Sequence, residues 1–236
     1  MSSPTAPSAS QLTLPLYARS RCRLENFVQN PGSVIVETLR AFWEASDDTG
    51  LFLHGPAGSG KTHLLLAMAH RVGAAASLYL NVSELVELPP GSVLEGLETK
   101  KLVCLDDVQA IAGHEPWEAA LFHLYNRCQA SGTRLLFAAQ SSPLRLGVQL
   151  PDLQSRLNWG IVIRLDELGD EQKKRVLLRR ADERGIALSA EVLQYLFSRS
   201  QRDMTTLVAV LDQLDQESLT EKRHVTIPFI KKIMKW

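Results

Sequence analysis

One stretch, Leu51-Phe52-Leu53-His54-Gly55-Pro56-Ala57-Gly58-Ser59-Gly60-Lys61-Thr62-His63, constrains this chain more than any other. The apolar run 51–53 reads as a buried strand, and residues 55–62 then satisfy G-x-x-x-x-G-K-[ST] at every specified position. Leu64, Leu65, Ala67, Met68 and Ala69 continue as a buried helix. A chance glycine-rich turn has no reason to sit between a strand and a helix, whereas a phosphate-binding loop requires that order. Gly58 and Gly60 let the backbone curl until its N–H groups converge on phosphate oxygens, and the helix N-terminus adds partial positive charge there. Gly55, Pro56, Ala57, Gly58, Ser59, Gly60, Lys61, Thr62 and His63 are therefore expected to form a nucleotide site. In it Lys61 reaches the β- and γ-phosphates and the Thr62 hydroxyl ligates Mg²⁺.

Composition limits the alternatives. The chain has 236 residues, 45% of them hydrophobic, enough for a full core. With 26 basic and 26 acidic side chains the net charge is zero, so a strong overall nucleic-acid footprint is absent while local basic patches stay open. Cys22, Cys104 and Cys128 are sparse, odd in number and far apart, which fits no zinc spacing and suits a reducing cytoplasm. His63 and His70 lie seven apart, on one helix face, and read as structural or surface groups. No apolar run approaches the ~20 residues of a membrane span, and no signal peptide opens the chain.

Residues 1–10 carry no charge and are rich in Ser, Pro and Ala, a composition expected to be disordered. Gln11-Leu12-Thr13-Leu14-Pro15-Leu16 follows, and residues 17–24 read as a linker able to span about 25 Å. Phe27 and Val28 open the folded part. Residues 34–44 are amphipathic, with Val34, Ile35, Leu39 and Phe42 at helical spacing. Residues 77–80 read as a second strand, and residues 85–97 as two short helical pieces broken at Pro89-Pro90-Gly91. Leu102-Val103-Cys104-Leu105-Asp106-Asp107 is a buried strand that exits on two carboxylates. About forty residues after the loop, that pattern predicts that Asp106 orients Mg²⁺ and Asp107 sits near an attacking water. A helix at 116–130, a strand at 134–139 ending at Gln140, a short helix at 150–158 carrying Arg156, and a strand at 160–165 complete the alternation. Five strands interleaved with helices predict an α/β fold with a parallel sheet covered on both faces. Beyond residue 170 the strand signal stops. Helices are expected at 170–184, 189–199, 203–219 and 228–234, the first with a basic face at Lys173, Lys174, Arg175, Arg179 and Arg180. Gly185 suits the end of that helix, Ser189 and Asp203 suit N-caps, and Pro228 a first turn. The expected division is a tail at 1–24, an α/β nucleotide-binding domain at 25–166 and an all-helical lid at 167–236.

Together these features resemble an AAA+ module, and within that class the ATPase core of the DnaA initiator. The resemblance rests on Gly58-Ser59-Gly60-Lys61-Thr62-His63-Leu64, Asp106-Asp107-Val108-Gln109, Ala112-Gly113 and Ser155-Arg156-Leu157-Asn158-Trp159-Gly160. More narrowly the chain resembles the Hda family of DnaA-homologous regulatory inactivators. The tail Leu211-Asp212-Gln213-Leu214-Asp215 … Thr226-Ile227-Pro228-Phe229 is similar to that family's, and the chain runs out at Trp236, before the ~100 residues a DnaA DNA-binding domain would need. Gln11, Leu12, Leu14, Pro15 and Leu16 resemble the Q-L-x-L-P-L peptide with which bacterial proteins dock on the replication sliding clamp; an arm packed on its own domain is the alternative.

The resemblance implies an adenine nucleotide, ADP or ATP, with Mg²⁺, bound beside Phe27 and Val28, with Gln140 sensing the γ-phosphate. It implies as partners the sliding clamp of DNA polymerase III, DnaA, and DNA reached through the clamp, and it leaves room for a homo-oligomer. It implies that Arg156 is an arginine finger that acts in trans on ATP held by DnaA, switching initiation off. The sequence departs from the DnaA pattern at the lid arginine that senses nucleotide, which aligns with Thr205; Arg202 is the nearby candidate substitute. An adaptor of weak intrinsic turnover and an AAA+ ATPase of helicase-loader or initiator type, hydrolysing its own ATP, are the two readings in play.

Overall fold

The computed structural model describes residues 22–45, 47–221 and 225–236. The docking peptide expected at Gln11 to Leu16 lies outside the described residues. Five parallel strands, β1 (Gly50–His54), β2 (Ser77–Asn81), β3 (Leu102–Asp106), β4 (Arg134–Ala139) and β5 (Ile161–Arg164), form one sheet in the order β2-β3-β4-β1-β5. Among the described residues five α-helices accompany it: α1 (Ile35–Ala45), α2 (Lys61–Val72), α3 (Pro90–Leu94), α4 (Glu115–Ser131) and α5 (Pro151–Asn158).

The two-residue period of a strand explains the layers. Leu51 and Leu53 of β1, Leu102 and Cys104 of β3, and Leu136 and Ala138 of β4 point to one face, where they meet Val36, Leu39 and Phe42 of α1 and Leu64, Leu65 and Met68 of α2. Phe52, Val103, Leu105, Leu135 and Phe137 point to the other face, against Trp117, Leu121, Leu124 and Tyr125 of α4 and Leu153 and Leu157 of α5. In register, Phe52 stands opposite Phe137, with ring centroids 6.1 Å apart. A sheet buried on both faces needs the near-continuous apolar strands that this sequence has.

The last four helices, α6 (Asp170–Glu183), α7 (Ala190–Arg199), α8 (Met204–Glu221) and α9 (Ile227–Met234), share their own core of Leu177, Leu193, Leu196, Phe197, Leu207, Leu211, Leu214 and Ile230. Ser189 caps α7, accepting from Val192 N at 3.3 Å, and Asp203 caps α8, accepting from Thr206 N at 2.8 Å. Pro228 lies in the first turn of α9, and Gly185 follows α6 at φ +73°. By its contacts the chain divides into two compact units. One holds the sheet, with Val34–Gly55 and Gly60–Leu165 and the segment ending at Phe27; the other holds Val28–Ser33, Pro56–Ser59 and Asp166–Trp236. Among the described residues, no helix is long and apolar enough to cross a membrane.

Several expectations change. Residues 22–24 are not linker: Cys22 and Leu24 are buried in the α1/α2 core, and residues 24–26 form a 3₁₀ turn. The anchors are the two histidines of α2. His63 Nε2 lies 2.9 Å from the Arg23 carbonyl oxygen, and His70 Nδ1 lies 2.9 Å from that of Cys22. Val34 is 66% exposed, and Val36 takes its expected place in the core. Residues 85–97 hold one helix, α3, followed by a 3₁₀ turn at Leu97–Thr99. Lys173 leaves the expected basic face: it is buried and donates to Glu167 at 2.7 Å.

Candidate nucleotide site and arginine-bearing helix

The loop after β1 emerges at the carboxyl ends of the strands, where sheets of this architecture take their ligands. Its glycines are structurally required. A Cβ on Gly55 would lie 2.2 Å from the Leu165 carbonyl oxygen. Gly58 and Gly60 adopt φ +75° and +96°, and a Cβ on Gly60 would meet the Phe27 ring at 2.6 Å. Gly60 ends the loop and α2 starts at Lys61, which points a helix N-terminus at the loop. Pro56, Ala57 and Gly58 are exposed, and Ser59 is buried with its Oγ lacking a hydrogen-bond partner. Among the described residues nothing uses that hydroxyl, as expected of a loop shaped for a ligand.

Lys61 is buried, and its Nζ donates to the Gly55 carbonyl at 2.7 Å. Burial pushes its pKa down, while Asp106 and Asp107 work in the opposite direction. The Thr62 hydroxyl donates to Asp106 Oδ2 at 2.6 Å, so the two expected Mg²⁺ residues adjoin. Asp106 is buried, and burial raises its pKa; hydrogen bonds from Thr62 and from Tyr79 of the neighbouring strand counter the shift. The Tyr79 hydroxyl donates to the same Oδ2 at 2.9 Å.

Asp107 and Gln140 are brought together through a third residue. Asp107 has the left-handed backbone φ 53°, and its Oδ1 accepts from Gln109 Nε2 at 2.9 Å. The Oε1 of the same Gln109 accepts from Gln140 N at 3.2 Å, while the Gln140 side chain is exposed. The side chain of His63, the last residue expected at the loop, lies 2.9 Å from the Arg23 carbonyl oxygen and 5.7 Å from the Phe27 ring, centroid to centroid. Phe27 and Val28 are half-buried. In the helical unit Thr205 is exposed near the start of α8, and Arg202 donates to Asp170 Oδ2 at 3.0 Å.

Arg156 lies in the last turn of α5, its guanidinium carbon 5.6 Å from the centroid of the Tyr125 ring of α4. No ion pair among the described residues holds it. Trp159, at the C-cap of α5, is 66% exposed. The start of α5 is held by a group that sequence reasoning missed. Glu118, 2% exposed on α4, accepts from Gly113 N at 2.8 Å, from Gln149 N at 2.9 Å and from Leu150 N at 2.7 Å. Tyr79 and Gln109 were likewise not singled out as site residues; all three act through partners distant in sequence or through a side-chain direction that no spacing encodes.

The residues fit an Mg²⁺-nucleotide polyphosphate. They comprise a glycine loop at a helix N-terminus, a buried lysine whose Nζ is held at the loop carbonyl, and a hydroxyl–carboxylate pair of hard oxygen donors.

Comparison with known proteins agrees with this architecture. Residues 92–164 match the family described as the bacterial DnaA ATPase domain, and residues 170–234 match the Hda lid domain. An uncharacterized protein of Haemophilus influenzae is 43% identical over 227 residues, covering 95% of this chain and 98% of its own. Domain III of the Thermotoga maritima DnaA superposes with TM-score 0.75 at 23% identity, over 90% of this chain and 95% of that one. The AMPPCP-bound DnaA of Aquifex aeolicus gives 0.64 at 24% identity, over 86% and 68%. The Thermotoga maritima RuvB branch-migration motor gives 0.66 at 18%, over 92% and 72%. At these identities the structural likenesses speak for the fold, and the family matches and the Haemophilus relative for the lineage: the chain is an Hda-like member of the DnaA-related AAA+ proteins.

Proposed function

We propose that this protein is a nucleotide-bound negative regulator of bacterial replication initiation, working in the cytoplasm from the sliding clamp. In this reading residues 1–24 are the tether, residues 25–166 the nucleotide-binding domain and residues 167–236 the lid. Gln11, Leu12, Leu14, Pro15 and Leu16 dock on the clamp loaded on DNA. Gly55 to His63 hold ADP or ATP; Lys61 neutralises its phosphates, and Thr62 and Asp106 hold Mg²⁺. The AMPPCP carried by the Aquifex aeolicus DnaA supports the choice of adenine.

Arg156 then meets ATP bound to a DnaA partner. As the γ-phosphoryl group separates, negative charge spreads over its oxygens, and a planar guanidinium with several N–H donors stabilises that charge. The observation that carries this reading is Arg156 itself: resting on Tyr125 at the end of α5, free of any ion pair among the described residues, with Trp159 exposed beside it. A ring beneath the guanidinium restrains it without neutralising it.

A second reading, an AAA+ ATPase of helicase-loader or initiator type, is favoured by the complete set of Lys61, Thr62 and Asp106. Against fast turnover stand Thr205 at the lid sensor position and Arg202 engaged by Asp170. Basal ATP hydrolysis, measured alone and then with DNA-loaded clamp and DnaA, separates the two. The regulatory reading expects slow turnover alone and rapid conversion of DnaA-bound ATP in the mixture. Turnover of ~1 s⁻¹ or more by the protein alone, the range of competent enzymes, would favour the loader.

A further inference from the structure

We propose that the cationic cluster around Tyr195 in the helical unit is a direct contact for the phosphate backbone of DNA. Arg199 of α7 and Lys231 of α9 both lie over the ring of Tyr195, with charge centres 5.9 and 5.8 Å from its centroid. The two charges are therefore within about 12 Å of one another, a span that adjacent phosphates of one strand can meet. Trp236 packs on the same ring, 6.1 Å away and tilted by 53°. Lys232 and Lys235 follow on α9 and beyond its end, and residues 228–236 contain three lysines and no acidic residue. Arg199, Lys231, Lys232 and Lys235 are all exposed, and Arg199, Lys231 and Lys235 have no carboxylate partner among the described residues.

This concentration stands out because the chain as a whole carries no net charge. Elsewhere on the lid four cations are paired, Lys173 with Glu167, Lys174 with Glu171, Arg202 with Asp170, and Arg184 with Asp212 and Asp215, and the exposed Arg175 and Arg179 of α6 serve below as the control. Cations left unpaired beside aromatic rings are the composition of surfaces that follow a nucleic-acid strand. The Tyr195 ring restrains Arg199 and Lys231 before any ligand arrives, which lowers the ordering cost of binding. The contact is electrostatic and independent of base sequence, because it is made to phosphates and not to base edges.

The inference does not depend on the clamp or on Arg156, and its test uses neither. Fluorescence anisotropy of a labelled 20-nucleotide single strand and a 20-base-pair duplex is measured with the full chain at 50 and 200 mM salt. Three proteins are compared: wild type, Arg199→Ala/Lys231→Ala, and Arg175→Ala/Arg179→Ala, which removes two other exposed lid cations. Wild type and the α6 control are expected to bind alike, and the Arg199/Lys231 variant to lose about tenfold or more in affinity at 50 mM salt. Its slope of log affinity against log salt should flatten by about 1.5, the release expected from two phosphates. Circular dichroism of each variant checks that these surface changes leave the helices formed. No DNA binding by wild type, equal losses in both variants, or binding to phosphatidylglycerol vesicles in place of DNA would each overturn the proposal.

Discussion

Replacing Glu118 should be among the most damaging single changes outside the hydrophobic core. Its carboxylate is 2% exposed and holds three backbone N–H groups, from Gly113, Gln149 and Leu150, at 2.7–2.9 Å. A hydrogen bond to a charged group contributes about 1.5–3 kcal/mol, so full loss of all three would approach ~6 kcal/mol. Gly113 and Gln149 belong to exposed residues, so water can replace part of what is lost. Glu118→Ala should therefore cost about 2–4 kcal/mol, a fall in Tm on the order of 6–12 °C for a chain of this size. Glu118→Gln keeps one carbonyl oxygen but turns an NH₂ group toward a backbone N–H, and should cost about 1.5–3 kcal/mol. Urea denaturation of both variants measures this. Because Glu118 holds the residues that lead into α5, stimulation of DnaA-bound ATP hydrolysis should also fall in the folded Glu118→Gln protein, with its own nucleotide affinity kept. A Glu118→Ala protein within ~0.5 kcal/mol of wild type would refute the reasoning, since no buried carboxylate with three satisfied donors can be lost so cheaply.

Other expectations follow from the same geometry. Lys61→Met removes a buried cation whose pKa burial lowers, so the folded protein's stability should rise with pH through the depressed lysine pKa in wild type and lose that rise in the variant; thermal melts should also show nucleotide no longer raising its Tm. The sign is that of a group bound to fewer protons when folded than when unfolded. Cys104 and Cys128 are buried, with burial pushing the Cys128 thiol to about 12 and Cys104 higher still, so a thiol reagent should label neither until the protein is unfolded. Removing residues 1–17 should abolish clamp pull-down and leave the Tm unchanged, whereas removing residues 1–24 should also lower stability by about 2–4 kcal/mol, because Leu24 and Cys22 leave the core.

The strands were legible because each is a short apolar run bounded by turn residues, and the loop because its glycines are demanded by backbone geometry that sequence spacing records. The lid caps Ser189, Asp203 and Gly185 were legible for the same reason: each is a local interaction. What stayed hidden acts at a distance. Glu118 reads as one more acid on an amphipathic helix until the 147–150 loop folds back onto it. Tyr79 reads as a strand residue until β2 pairs with β3 and puts its hydroxyl on Asp106. Residues 17–24 read as linker because Cys22 and Leu24 show no period, yet two histidine side chains of α2, 40 and 48 residues away, hold the carbonyls of Arg23 and Cys22. Lys173 looked like part of a charged face because helical spacing cannot reveal that Glu167, six residues back and exposed, reaches its buried ammonium group.

The central claim is that Arg156 acts in trans. Arginine fingers contribute ~10³–10⁵ in rate in other nucleotide hydrolases, and a lysine cannot reproduce the planar fork. The decisive measurement mixes DnaA carrying labelled ATP with DNA-loaded clamp and wild type, Arg156→Ala or Arg156→Lys, and follows conversion to ADP. Conversion should fail nearly equally with both variants, while their clamp pull-down and nucleotide affinity match wild type. Undiminished conversion with Arg156→Ala would contradict the account.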